Sequence, residues 1–274
     1  EQVRICRARG VATVLDNTWG AGLAFKPFDL LADGGSLGVD VTAHALTKYP
    51  SGGGDVLMGS IITRDANLHM RIKLTHMRLG IGIGANDAEL LLRSLPSVGL
   101  RYQAHDVAAR DLARWLGQQP AVVQVLHPAL EEAPGHVHWK ALCGAAHGGQ
   151  GAAAGLFSVV IDPKYGQDAV DRFCDSLQLF KLGYSWGGPI SLVVPYDIER
   201  MRSQPHAQLK TGTVVRFSIG LEQVDDLRAD LAQALCLQRD EASALAAVSD
   251  LTPLFEGNVS KAQLQSFQRS QRRG

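Results

Sequence analysis

The sequence predicts an α/β chain of 274 residues, with a mostly parallel sheet over residues 1–96 and an α+β region over residues 97–274. Three observations lead there. Short apolar runs at Val11–Leu15, Val39–Leu46 and Val56–Thr63 succeed one another, bounded by turn residues, as the buried strands of a parallel sheet do. Pro96 then breaks the pattern ahead of a long helical period over Leu100–Leu116, which carries Arg and Asp on one side. Beyond it, strand-like runs at Ala121–Leu126, Gly155–Asp162 and Thr213–Gly220 are not in strict alternation with helices, which suits an α+β arrangement and a domain boundary near Pro96.

Taken in order, Glu1–Gly10 (EQVRICRARG) reads as the second half of an amphipathic helix running into the first strand, without Met or a capping residue, so the chain reads as truncated at its front. Val11–Leu15 ends in Asp16-Asn17-Thr18-Trp19, polar groups at a strand's carboxyl end. Lys26–Gly38, with LADGGSL at Leu31–Leu37, reads as a surface loop that tolerates lengthening. Ala66–Leu79 is helical, and Asn86-Asp87 are expected to cap a helix running through Leu95. Gly80-Ile81-Gly82-Ile83-Gly84 resembles a dinucleotide fingerprint only loosely; no strand precedes it, so a helix-entry turn is the better reading. His127–Ala154 reads as a long loop. Gln167–Leu179 and Gln223–Leu237 read as helices, the latter with Val224, Leu227, Leu231 and Leu235 on one face. From Gly257 on, Lys261, Arg269, Arg272 and Arg273 are spread among Gln and Ser, a solvated tail rather than a nucleic-acid arm.

Composition narrows the function classes. Apolar residues are 46% and charged residues 20%, an ordinary globular profile, and the formal net charge is zero. No global field therefore favours nucleic acid or an anionic membrane, while small acidic or zwitterionic substrates fit. There is no long apolar run or basic-then-apolar leader, and Cys6, Cys143, Cys174 and Cys236 form no CxxC pair. A cytoplasmic protein without a disulfide framework is expected. His127, His136, His138, Cys143 and His147 cluster in one loop, but their spacing matches no standard zinc pattern, so no metal is expected.

Chemistry gathers around Val39–Gly59. An apolar run there ends in Thr47-Lys48-Tyr49 and is followed at once by Pro-Ser-Gly-Gly-Gly, so Lys48 sits where a buried strand gives way to a loop. In open parallel sheets the ligand crevice lies beyond the strands' carboxyl ends, and an amine desolvated there becomes a nucleophile or base. A surface lysine capping a turn is the other reading this stretch allows. Asp16 ends the neighbouring strand, so both side chains can reach one crevice, although a turn residue is its simpler role. A carboxylate and an amine in one pocket suit pyridoxal phosphate (PLP), whose aldehyde bonds to a lysine and whose ring nitrogen needs an acidic partner.

Five segments carry a resemblance: DNTWGAGLAFKPFD (Asp16–Asp29), VTAHALTKYPSGGGDVLMG (Val41–Gly59), PGHVHWK (Pro134–Lys140), YSWGGPISLV (Tyr184–Val193) and VVRFSIGLEQVDDLRADL (Val214–Leu231). In order and over nearly the whole chain, they resemble the cystathionine β-lyases among the PLP enzymes of Cys and Met metabolism. The resemblance implies a fold-type I transferase-like fold, with the end of the cofactor-binding large domain in residues 1–96 and the small domain in 97–274. It implies Lys48 as the lysine bonded to PLP, Asp16 as the partner of the ring nitrogen and Thr47 as a phosphate ligand. Ala45 stands where many relatives have a second hydroxyl. Arg216 is matched to the substrate carboxylate, and Ser185, Trp186 and Tyr184 to the substrate-side wall.

The activity implied is β-elimination of L-cystathionine to homocysteine, pyruvate and ammonia, within methionine biosynthesis. Lys48 would move the α-proton, with Arg216 and Asp16 acting by position and charge. Trp19 and the SWGG motif resemble β-lyases more than γ-lyases and γ-synthases, which are the enzymatic alternative; a catalytically silent relative with a binding or structural role is the alternative of another class. The resemblance also implies a homotetramer for the full-length protein, and no membrane or nucleic-acid partner. Two departures stand out: the LADGGSL insertion, and the lack of the family's amino-terminal phosphate loop, ring-stacking tyrosine and subunit-crossing arm.

Overall fold

The structure, a computed structural model, describes residues 1–203 and 207–235, without the side chains of residues 199 and 200. The end of the expected helix at 236–237, Cys236 and the basic tail from Gly257 lie outside the described residues.

The first part is built on a three-stranded sheet. Helix α1 (Gln2–Ala8) leads into β1 (Val14–Asp16), which pairs in parallel with β2 (Val41–Ala45), Asp16 lying opposite Ala43. β3 (Gly59–Thr63) pairs with β2 in the antiparallel sense, Ala45 opposite Gly59. This second pairing differs from the sequence expectation. A parallel return is usually carried by a crossover helix, whereas residues 46–58 contain only turns and extended chain and bring β3 back antiparallel. The LADGGSL segment is the surface loop expected: Asp29 Oδ1 accepts from Gly35 N at 2.9 Å, and Arg7 Nη1 donates to Ser36 O at 2.6 Å.

Helices α2 (Ala66–Arg78) and α3 (Ala85–Ser94) follow. Asp65 caps α2 by accepting from Leu68 N at 2.6 Å. The expected cap of α3 by Asn86-Asp87 is replaced by Gly84, which ends the glycine-rich turn and leaves Asp87 inside the first turn, where its charge suits the helix dipole. Pro96 lies in a single tight turn, Leu95–Ser97, before α4 (Val98–Gly117).

In α4 the buried residues Tyr102, His105, Asp106, Ala109, Leu112, Ala113 and Leu116 recur every three or four positions, the period of one helix face. That face packs on a five-stranded sheet. After β4 (Val122–Leu126), the expected long loop holds two short helical segments, α5 (His136–Cys143) and a kinked α6 (Ala146–Gly149). They are too short to show a clear period in sequence. Then come β5 (Leu156–Ile161), α7 (Gly166–Ser176), β6 (Lys181–Leu182), β7 (Leu192–Tyr196), α8 (Ile198–Met201), β8 (Thr213–Ser218) and a helix α9 over residues 224–235.

The strand order is β4-β5-β8-β7-β6, antiparallel except for β6 with β7. Its core joins Leu112 and Leu116 of α4, Val170 and Phe173 of α7, and Leu227 and Leu231 of α9 against Val159, Val215 and Phe217. A second cluster of Ala24, Tyr49, Tyr102, Cys143, Ala152 and Ala154, with Trp19 and Trp186 packed on it, joins the Lys48 turn to the five-stranded part.

Candidate active site

Lys48 follows β2 in the turn that reverses the chain. Its backbone N–H donates to Ala45 O at 3.2 Å, and its carbonyl accepts from Gly52 N at 3.0 Å. The side chain crosses to the other sheet: Nζ donates to Ser185 Oγ at 2.9 Å and lies 4.2 Å from the centre of the Trp186 ring. Loss of water around the half-buried amine pushes its pKa below the ordinary lysine value, and the nearby Arg216 charge pushes it the same way. A lysine made easier to deprotonate is suited to nucleophilic and proton-transfer work.

The loop that meets Lys48 is shaped by Gly187. A Cβ at this position would lie 2.8 Å from Tyr49 N and 3.2 Å from Lys48 C, and the backbone has φ +77°. Only glycine lets Ser185-Trp186 lie directly on the Lys48–Tyr49 peptide. Tyr49 locks the same turn from below: it is fully buried, its hydroxyl accepts from Gly155 N at 3.0 Å, and its ring meets Tyr102 edge-on at 4.9 Å.

Arg216 rises from β8 opposite Val194 of β7. Its guanidinium carbon lies 5.9 Å from the Trp186 ring centre and 5.8 Å from that of Tyr196, while Nη2 donates weakly to Gly183 O at 3.3 Å and Ser185 O at 3.4 Å. Tyr184 is exposed and meets Tyr196 edge-on at 6.2 Å. Ser185, Trp186 and Arg216 thus share one wall with the Lys48 amine, and Tyr184 borders it through Tyr196. The buried Arg216 Nε and Trp186 Nε1 have no hydrogen-bond partner among the described residues. Unpaired buried donors are rare in folded proteins, and here they fit an anionic group such as a carboxylate.

Asp16 ends β1 on the adjacent strand. Its Oδ1 accepts from Thr18 Oγ1 at 2.6 Å and from Thr18 N at 2.9 Å, and Thr18 Oγ1 in turn accepts from Ala45 N at 2.8 Å. The Thr18 hydroxyl bond, then the backbone bond, hold the Asp16 carboxyl below its ordinary pKa, with a smaller contribution from His44. An anionic carboxylate there fits a ring nitrogen that must keep its proton. Burial in turn lowers the pKa of His44, partly countered by Asp16. Thr47 is engaged elsewhere: Met58 N donates to its Oγ1 at 3.2 Å, and Oγ1 donates to Met58 O at 3.4 Å. It serves a phosphate only by giving up these bonds.

The histidines of residues 127–147 do not converge. His127 is buried and accepts from Ala129 N, while His136 Nδ1 faces Pro128 O; among the described residues no group of three His, Cys, Asp or Glu side chains could hold a metal ion. No helix among them is long and apolar enough to cross a membrane. Thr18, Gly187 and Tyr196 were missed in sequence; only the double glycine after Trp186 signalled a close backbone approach.

The chain is 34% identical over 221 residues to cystathionine beta-lyase of Escherichia coli, covering 80% of this chain and 52% of that one. It is 32% identical over 233 residues to an L-alanine/L-glutamate racemase of Wolbachia pipientis, covering 85% and 54%. The crystal structure of cystathionine gamma synthase from Xanthomonas oryzae in complex with cystathionine superposes with a TM-score of 0.71 at 31% identity, over 87% of this chain and 58% of that one. The chain therefore spans about half the length of the relatives it matches, and its fold is the corresponding part of a fold-type I architecture. The profile of the Cys/Met metabolism PLP-dependent enzymes matches residues 1–236, and the chain belongs to that family.

Proposed function

We propose that this chain carries the lysine-bearing part of a PLP-dependent carbon–sulfur lyase that cleaves L-cystathionine by β-elimination, giving homocysteine, pyruvate and ammonia. The observation that carries the reading is the Lys48 amine, lowered in pKa and held at 2.9 Å by Ser185 Oγ on the wall that bears Arg216. The donor set fits the cofactor: Lys48 for the aldehyde and Asp16 for the ring nitrogen, with Thr47 available at the phosphate after exchange of its Met58 bonds. When bound, PLP supplies an electron sink for charge developing at the substrate α-carbon.

The chain's own residues supply position and proton transfer. Arg216 holds the substrate carboxylate, with its fork set between Trp186 and Tyr196. Lys48 Nζ takes the α-proton, and Ser185 Oγ, already bonded to it, keeps the amine on that side of the site. Tyr184 and Trp186 border the space for the sulfur-bearing part of the substrate. In this reading residues 1–96 belong to the cofactor-binding domain and 97–274 to the small domain. The whole protein works in the cytoplasm as a homotetramer in methionine biosynthesis.

Titration of the full chain with PLP, followed by its visible absorbance, tests the assignment: binding of the cofactor to Lys48 gives a band that Lys48→Ala abolishes. Pyruvate formed from cystathionine supports β-elimination, 2-oxobutyrate supports a γ-type reaction, and no Lys48-dependent band counts against both.

A further inference from the structure

The turn that carries Lys48 is gripped by a cation with no role in the chemistry described so far. Arg101, in the first turns of α4, sends Nη1 to Tyr49 O at 2.6 Å and Nη2 to Pro50 O at 3.2 Å, the two carbonyls that follow Lys48. The same guanidinium reaches back to the end of α3: Nη2 donates to Ser94 O at 3.1 Å and Ser94 Oγ at 2.9 Å, and Nε donates to Ser97 Oγ at 3.1 Å. Ser94 Oγ closes the network by donating to Ser51 O. Half-buried, the guanidinium has no carboxylate partner among the described residues, so these neutral oxygens offset its loss of water.

A space is kept for it. Gly52 has φ +69°, and a Cβ there would overlap Arg101 Nη1. The first glycine after Pro50-Ser51 thus serves the passage of the guanidinium as well as the turn. Three of its five bonds stay with Ser94 and Ser97, and the other two run from α4 to the peptide segment that follows Lys48, whose direction sets where the lysine side chain leaves the sheet.

We propose that Arg101 is a positioning residue for Lys48: by fixing the Tyr49 and Pro50 carbonyls it aims the lysine at Ser185 Oγ and the Trp186 ring. This deepens the assignment of Lys48 as the reactive amine and rests on it. Without the fork the turn relaxes, the amine leaves Ser185 and Trp186 for water, and its reactivity falls to that of an ordinary surface lysine.

The test uses the full chain without cofactor. Competitive acetylation read by mass spectrometry reports the reactivity of Lys48 across pH, with melting temperature measured in parallel. Arg101→Ala is expected to let the Lys48 pKa rise toward the ordinary lysine value and so slow its labelling near pH 8 several-fold. Guanidinium chloride at non-denaturing concentration should restore the rate by refilling the space beside Gly52, and Arg101→Lys should recover it only in part. Should Arg101→Ala not fold, Ser94→Ala removes one acceptor and is expected to slow labelling to a smaller extent. A lower melting temperature with unchanged Lys48 labelling, in either variant, overturns the proposal. Because no cofactor is present, the result stands apart from the PLP titration, whose failure would strike the proposed function instead.

Discussion

Replacing Gly187 by Ala puts the packing of the two sheets at the lysine to a direct test. The added Cβ meets two penalties. At φ +77° it incurs the left-handed cost of a non-glycine residue, about 1–2 kcal/mol. It also lies 2.8 Å from Tyr49 N, a distance that backbone atoms must move to relieve, and overpacking of this kind costs about 1–3 kcal/mol. Together they give a loss of about 2–5 kcal/mol if the loop stays in place. Part of that is recovered if the loop retreats, and then the 2.9 Å bond from Lys48 Nζ to Ser185 Oγ is lost. Urea unfolding followed by circular dichroism measures the first outcome, and the visible band of PLP bound to Lys48 measures the second. A Gly187→Ala protein with unfolding free energy within about 0.5 kcal/mol of the parent and an unaltered PLP band would refute the reasoning.

Other substitutions test other links. Thr18→Val removes the main support of the low Asp16 pKa and leaves Ala45 N–H unpaired, so stability should fall by about 1–3 kcal/mol and the Asp16 carboxyl resonance should titrate at higher pH. The sign follows from the lowered folded pKa: the stability Asp16 contributes is full above its unfolded value of about 4 and is lost as pH falls through the folded value. In Thr18→Val that acid-side loss should shrink, as pH-dependent melting will show. Arg216→Lys loses the planar fork held between Trp186 and Tyr196; a hydrogen bond to a charged group is worth about 1.5–3 kcal/mol, so under the proposed function kcat/KM for cystathionine should fall by about 10- to 150-fold in steady-state assays. Leu231→Ala empties a fully buried position under the five-stranded sheet and should cost about 2–5 kcal/mol by thermal denaturation, with the PLP band unchanged at low temperature.

Local pattern carried much of the fold. The span of α4, the end of β1 at Asp16 and the strand-to-turn change at Lys48 were readable because period and turn chemistry are local properties. The antiparallel return of β3 goes with the helix-free 46–58 connection, which the apolar runs alone did not reveal. β7 escaped detection because Pro195 reads against a strand. It is tolerated because β6 pairs with β7 only at Leu192 and Val193, leaving the Pro195 side without a ladder bond to supply. The site itself divides the same way. Lys48 and Asp16 sit at strand ends, and Ser185, Trp186, Tyr184, Thr47 and Arg216 entered through resemblance to a family. Thr18, Tyr196, Gly187 and Arg101 act through contacts between distant parts of the chain, and Arg101 in particular carries no signal in its own neighbourhood.

The strand that bears Arg216 is the last strand of the described chain, yet it occupies the middle of its sheet, inserted between β5 and β7. During synthesis the neighbours on either side are made first and wait, unzipped, for this ribbon to slot in. The polypeptide therefore acquires its reactive amine early and the charge expected to grip a substrate late. A ribosome-bound chain that has not yet emitted residue 216 thus carries Lys48 without the arginine that shares its wall.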